Sequence, residues 1–272
     1  MQEFLHHPAV QGGLVPFGIA LLAAIVLRPL RLSGLAVTLA FAATVYLVSG
    51  ISFESLTGSR KIVLLGLAAP VAAILLGLFN AAWMRSLLAA AGGASAIWVA
   101  QRILEQQQLA HMFLWGAGIA LYAGWLVFWM DKLHDQPVRA GSAGLALGLG
   151  TGGAALFGAS ATLGMYGIAL GAAAGAYLLV QMVTNNRLPC GRIFALPLAL
   201  IAGLAGCLAV LGAELPWYAL FPLAAIPPTA KIAPVSEKAA LWLQSALLSA
   251  ATLACAAGAT YLTWRVAGAP PL

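Results

Sequence analysis

A long uncharged stretch constrains the fold of this chain more than any other feature of its sequence. Residues 141–183 form 43 consecutive positions without Asp, Glu, Lys or Arg. As one α-helix this stretch would be about 64 Å long, roughly twice the thickness of the hydrocarbon core of a bilayer. We therefore predict two apolar helices that fold back on each other, with a tight turn near residues 160–163.

Apolar runs of similar length occupy most of the remaining chain. Bounded by charged residues, Pro and Gly, they lie at residues 14–27, 34–51, 62–79, 86–101, 110–130, 193–212 and 239–263. Of the 272 residues 62% are hydrophobic and only 7% are charged, whereas a soluble domain is about a quarter charged. The sequence predicts an all-α, polytopic transmembrane bundle of about ten helices, folded as a single integral membrane domain over residues 1–272.

Two of the predicted elements are irregular. The fourth is short and carries Gly92 and Gly93 at its centre, and the ninth, residues 215–235, contains five prolines. Proline removes a backbone donor and clashes with the preceding turn, so we expect the ninth to be short or broken, either kinked through the membrane or re-entrant. We divide the chain into two halves of five elements each, residues 1–135 and 136–272. The irregular element is the fourth in both halves, a pattern typical of carriers built as 5+5 inverted repeats.

The basic residues predict an orientation. Thirteen Lys and Arg against seven Asp and Glu give a net charge of +6, and they lie singly or in pairs at the ends of apolar runs. With ten crossings and the N-terminus outside, nine of them fall on the inner side, as the positive-inside rule requires. These are Arg28, Arg31, Arg85, Lys132, Arg139, Arg187, Arg192, Lys231 and Lys238. The compact, Ala- and Gly-rich build favours a bacterial inner membrane, and no extramembrane domain is predicted that could bind nucleic acid.

Glycines recur every four residues in the uncharged stretch. One set is Gly144, Gly148 and Gly152, and the other is Gly167, Gly171 and Gly175. Four residues are about one helical turn, so each set lies on one face of its helix, where missing side chains let two backbones approach closely. We predict that these six residues pack the sixth and seventh helices together.

The sequence contains few groups that could perform chemistry inside a membrane. The seven acids all fall in predicted loops or at helix ends, which disfavours ion coupling through a deep carboxylate; they are Glu3, Glu54, Glu105, Asp131, Asp135, Glu214 and Glu237. The four His and three Cys form no cluster at metal-ligand spacing. No His or acid stands at helical spacing from a Ser, Thr or Tyr to activate it, so we predict no catalytic residue, metal or cofactor.

Two functions fit this pattern, besides contact with the lipid bilayer itself. The first is a carrier or permease for a small neutral, lipid-like or weakly anionic solute. We expect both irregular elements to be broken. The site would be built at these breaks, from Arg85, Gly92, Gly93, Pro227, Pro228 and Lys231. The alternative is a non-catalytic subunit or scaffold of a larger membrane complex, whose partners would be other membrane proteins or further copies of this chain.

Overall fold

A computed structural model describes residues 7–50, 56–77, 83–158, 160–213, 215–236 and 238–267. Over these residues the chain is all-helical, with ten α-helices and no strand, which confirms the all-α part of the predicted fold class and the number of helices. A π-helical turn, Val10–Leu14, precedes the first helix and a 3-10 turn, Trp217–Ala219, precedes the ninth. The helices are α1 Val15–Val26, α2 Leu35–Val48, α3 Gly58–Gly77, α4 Met84–Leu104, α5 Leu109–Asp131, α6 Pro137–Phe157, α7 Ala161–Thr184, α8 Gly191–Gly212, α9 Leu220–Ile232 and α10 Leu241–Ala267.

Seven helices, α3 to α8 and α10, are long and apolar enough to cross a membrane, as in a multi-pass membrane protein. The other three are shorter. Helix α8 is the centre of the bundle, since 83% of its apolar span is buried and it packs against α3, α5 and α6, among others. Helix α10 lies at the periphery, where only 28% of the span is buried.

Successive helices run in opposite directions, which brings alternate connections to the same end of the bundle. Asp131 at the end of α5 bonds Arg85 and Arg192, which lie at the starts of α4 and α8. Arg139 in α6 bonds the carbonyls that follow α9. We call this the basic end, because all nine basic residues assigned above to the inner side lie there. Arg60, Lys61, Arg102 and Arg265 lie at the opposite end.

Helices α6 and α7 are in backbone contact along the two glycine rows. A Cβ added to Gly148 would lie 2.2 Å from the nitrogen of Gly171, and one added to Gly167 would lie 2.4 Å from that of Gly152. Gly144 faces the side chain of Leu198 in α8 as well as Ala174. Gly175 is in ordinary contact only, 3.4 Å from Leu145 Cδ1. The structure therefore brings four of the six glycines together, and the outer two meet side chains.

The ninth element runs along the whole of α6. Leu215 lies beside Gly158 at one end of α6, Leu223 meets Gly150 near its middle, and Arg139 at the other end bonds the last turn of α9. The segment therefore runs from one end of α6 to the other without turning back on itself. The expected break is also absent, because Pro227 and Pro228 lie inside a helix that continues through both.

The predicted interruption of the fourth element is wrong. Helix α4 is continuous through Gly92 and Gly93, which serve for contact with α5. A Cβ on Gly93 would lie 2.9 Å from the carbonyl oxygen of Ala120, and one on Gly92 would lie 2.9 Å from Val127 Cγ2. The paired breaks on which the inverted repeat was based are thus not present. The repeat and its two halves remain a prediction.

Candidate functional site

The structure does not assemble the predicted substrate site. Arg85 is held by Asp131 at the basic end, and Gly92 and Gly93 are covered by α5. Pro227, Pro228 and Lys231 belong to α9, which packs mainly against α6 and α10. Neither of the two cavities described below is lined by residues of both helices.

A large cavity opens instead at the basic end. Its volume is about 970 Å³, and its walls come from the α1–α2, α5–α6, α7–α8 and α9–α10 connections and the adjoining helix ends. Four arginines line it, and we call it the arginine pocket; they are Arg28, Arg31, Arg139 and Arg187. Asp135 is the one carboxylate among the described lining residues, and it is 82% exposed and lies 3.1 Å from His134 Nε2. The pocket is therefore strongly positive.

Local backbone geometry positions these arginines. Arg28 and Arg31 flank the turn after α1, and Arg31 adopts a left-handed conformation at φ 58°, which reverses the chain there. Arg187 follows α7, whose last turn is closed by Asn185 in the same left-handed region, at φ 45°. Arg139 stands in the first turn of α6. Arginines from three separate parts of the chain thus face one space.

Two helix N-termini also open into the arginine pocket. Pro137 begins α6 and Gly191 begins α8, and both residues line the cavity. Pro137 has no N–H, and that of Gly191 donates to the carbonyl oxygen of His134 at 3.0 Å. The contribution of the two helix ends is therefore the helix dipole, which makes each of them positive. Helix ends and guanidinium groups together make a site for an anion such as a phosphate or a carboxylate.

Arg139 has a second contact besides the pocket. Its Nη1 donates to the carbonyl oxygens of Ala230, Lys231 and Ala233 at 2.5, 3.0 and 3.1 Å, and its Nη2 donates to that of Val235 at 3.4 Å. These oxygens belong to the last turn of α9 and the residues after it, which lack helical N–H partners. One guanidinium therefore joins the pocket wall to the end of the proline-containing helix.

A buried ion cluster lies beside the pocket. Asp131 is only 4% exposed, and its two carboxylate oxygens accept hydrogen bonds from Arg85 Nε at 3.1 Å and Arg192 Nε at 2.8 Å. Arg192 also donates to the carbonyl of Leu76 at the end of α3. The cluster ties together the ends of α3, α4, α5 and α8. Asp131 was placed by the sequence in a polar loop, whereas the structure makes it the last residue of a helix and buries it.

At the opposite end Lys61 is buried, at 6% exposure, in the first turn of α3. Its Nζ donates to the carbonyl oxygen of Trp98 at 2.7 Å and lies 4.9 Å from the centre of the indole ring. Carbonyl and ring together neutralise part of the cost of burying the ammonium. The contact ties α3 to α4. It lies far along both helices from the arginine pocket.

Cys190 is the thiol nearest to the arginine pocket, in the turn before α8. It is 5% exposed, and burial, the largest cause, raises the pKa of its thiol. The thiol is therefore protonated at neutral pH and is a poor nucleophile. The described part of the chain contains no group of three His, Cys, Asp or Glu that could hold a metal ion.

The sequence prediction missed the arginine pocket. Its four arginines come from three separate parts of the chain, and each by itself looks like an ordinary topology signal. No protein-family model, curated protein or solved structure matches this chain.

Proposed function

We propose that this chain is a multi-pass membrane carrier or permease for a small or lipid-like anion, which binds in the arginine pocket. The observation that carries the proposal is the cavity of about 970 Å³ with four arginines and one exposed carboxylate in its wall. The volume lies in the range of small-molecule sites, about 300–1,000 Å³. The proposal keeps the predicted function class but moves the site away from Arg85 and Lys231.

The charge of the arginine pocket defines the solute class. Guanidinium groups bind carboxylates and phosphates with two parallel hydrogen bonds, and the helix N-termini at Pro137 and Gly191 favour the same ligands. A neutral solute would leave this positive field unbalanced. We therefore narrow the predicted solutes to anions that bear a phosphate or a carboxylate.

The positive-inside rule places the arginine pocket on the inner side of the membrane. Under this proposal both ends of the chain face outward and the pocket opens to the cytoplasm of a bacterial cell. Helix α9 is the element best placed to respond to the solute, because Arg139 holds its end and also lines the pocket. An anion that attracts this guanidinium competes with the carbonyl oxygens of Ala230 and Lys231 for its donors.

Ligand-dependent thermal stabilisation of the purified protein tests the binding step. Phosphate, glycerol 3-phosphate and short carboxylates are compared, and the best stabiliser is then titrated. We expect Arg28→Gln combined with Arg187→Gln to weaken its affinity at least about ten-fold, since a hydrogen bond to a charged group contributes about 1.5–3 kcal/mol. Arg102→Gln, at the opposite end, is the matched control. Unchanged affinity in the double variant would refute the site.

Transport is tested separately in proteoliposomes loaded with the same anion as a radiolabelled compound. A carrier exchanges label across the membrane at a rate that falls in the double variant in parallel with affinity. If the anion binds but exchange is no faster than in protein-free vesicles, the pocket is an anion-binding site and the carrier function is wrong.

The subunit or scaffold function is favoured by a different observation, the outer face of α10. This helix is mostly unburied and exposes large apolar side chains along its length, among them Trp242, Leu247 and Tyr261. A partner helix would cover such a face. Extraction in a gentle detergent should then yield an assembly of fixed stoichiometry, and a stable lone monomer would argue against this alternative.

A further inference from the structure

A second cavity lies on the outer surface of the bundle, between α4 and α5. Its volume is about 750 Å³, it shares no lining residue with the arginine pocket, and its walls are almost wholly apolar. We call it the α4–α5 groove. It is a lateral surface feature, open toward the surroundings of the bundle along its length.

Small residues create the groove. Gly93 and Gly124 bring the two helices into backbone contact, since a Cβ on Gly124 would lie 2.8 Å from the carbonyl oxygen of Ala89. The exposed residues Ala90 and Ala94 leave a shallow floor on the α4 side. Larger side chains of α5, including Trp125, form the other wall. The result is an open furrow of small residues along the two helices.

Two cations stand where the groove reaches the basic end. Arg85 lies one turn before Ala89 on α4, and Lys132 lies one turn after Phe128, directly after the end of α5. Both lie over the ring of Phe128, which lines the groove, with Arg85 Cζ at 5.9 Å and Lys132 Nζ at 4.5 Å from its centre. The ring thus separates an apolar furrow from a cationic site at its end.

This cationic site carries excess positive charge. The one carboxylate near it in the described residues, Asp131, is shared between Arg85 and Arg192. Arg85 uses its Nε for that bond, and the contacts of Lys132 within the described residues are with the Phe128 and Trp129 rings. An anion at the end of the groove would therefore meet Arg85 and Lys132 without displacing another carboxylate.

The length of the groove matches one leaflet of a membrane. From Ala117 to Phe128 the α5 wall rises by about 17 Å at 1.5 Å per residue, and half of a 30 Å hydrocarbon core is about 15 Å. An acyl chain in the furrow would place its headgroup beside Arg85 and Lys132. We propose that the α4–α5 groove is a binding site for an anionic phospholipid, with one acyl chain in the furrow and the phosphate at the two cations.

Lipid retention measured by native mass spectrometry tests this site. The protein is reconstituted in an equimolar mixture of phosphatidylglycerol and phosphatidylcholine, extracted in a mild detergent and analysed for bound lipid. We expect retained phosphatidylglycerol to exceed phosphatidylcholine. Lys132→Gln should lower this preference about five-fold, as expected for one basic residue near an anionic membrane surface. Lys238→Gln, at an exposed basic residue of the same end, is the control and should not change it.

A bulky substitution that fills the α4–α5 groove tests whether an acyl chain binds there. Ala94→Trp places an indole where the acyl chain would lie and should abolish retention of both lipids. Ala91→Trp adds the same side chain at an exposed position of α4 that does not line the groove, and should leave retention unchanged. Thermal unfolding of each variant confirms that the helices still pack. Equal retention of the two lipids by the unmodified protein, or equal loss in Ala94→Trp and Ala91→Trp, would overturn the proposal.

Discussion

The indole Nε1 of Trp125 donates a 2.9 Å hydrogen bond to the carbonyl oxygen of Ala224. In a regular helix that oxygen accepts the N–H of the residue four positions later, which is Pro228 and has no N–H. A side chain of α5 thus supplies the donor that proline removes from α9. It replaces one of the two backbone hydrogen bonds that the adjacent prolines remove from a helix that remains continuous.

Replacing the indole tests this substitution of donors. We expect Trp125→Phe to lower the free energy of unfolding by about 1–2 kcal/mol, because the oxygen of Ala224 then lacks a partner in lipid. In a Pro228→Ala background, where the backbone N–H returns, the same change should cost about 1 kcal/mol less. The measurement is unfolding in mixed micelles of dodecyl maltoside and SDS, arranged as a double-mutant cycle. Additive costs would show that Trp125 acts by packing alone.

The six glycines of α6 and α7 should differ in their tolerance of a methyl group. We expect Gly148→Ala to cost more than about 2 kcal/mol of stability, since its Cβ would overlap the backbone of Gly171 and the helices must separate. Gly175→Ala meets a side-chain tip and should cost less than about 1 kcal/mol. The Cβ added by Gly118→Ala would have no neighbour within 4 Å, so this variant should be neutral or slightly stabilising. It is the control for the effect of Ala on helix propensity alone. The same micelle unfolding assay ranks all three, and equal costs would contradict the contact.

The buried carboxylate of Asp131 should be essential for stability. Asp131→Asn leaves Arg85 and Arg192 without their counter-charge, and breaking a buried pair in this way costs about 3–5 kcal/mol. Asp135→Asn, four residues on and largely exposed, should change stability by less than about 1 kcal/mol. Thermal unfolding followed by circular dichroism compares the two variants, and a small effect of Asp131→Asn would mean that the cluster adds little.

Cys190 should react slowly with water-soluble maleimides at neutral pH, because it is buried and the pKa of its thiol is raised. The thiolate is the reactive form, so the rate should keep rising with pH beyond the ordinary thiol pKa of about 8.5. The assay uses a Cys207→Ala, Cys255→Ala background. Asn186→Cys, at an exposed position of the same pocket, serves as the control in a chain that also lacks Cys190. Similar rates and pH profiles for the two thiols would show that Cys190 is accessible.

The apolar runs were sufficient to predict the helices, because each run is long and its ends are marked by charge, Pro or Gly. The turn expected near residues 160–163 lies slightly earlier, between the end of α6 at Phe157 and the start of α7 at Ala161. The glycine spacing also identified the face on which Gly148 and Gly171 meet. Helix ends and glycine faces depend on residues that are close together in the sequence, so a local sequence pattern is enough to predict them.

Contacts between distant residues could not be predicted in this way. Proline spacing indicates a missing donor at Pro228 but not that Trp125, 99 residues before Ala224, replaces it. Likewise the sequence around Asp131 indicates a loop, and only the fold shows that two arginines of other helices bind its carboxylate. The arginine pocket depends on the same kind of tertiary arrangement, and its residues have no common sequence pattern.

The backbone contact between α6 and α7 limits where a solute can pass. Their separation is set by main-chain atoms at Gly148, Gly152, Gly167 and Gly171, so no change of side-chain rotamer can open a gap there. Parting the two helices would expose bare peptide groups to lipid, which is costly. Any route from the arginine pocket through the bundle must therefore avoid the contact between α6 and α7. A movement that opens such a route has to involve other helices.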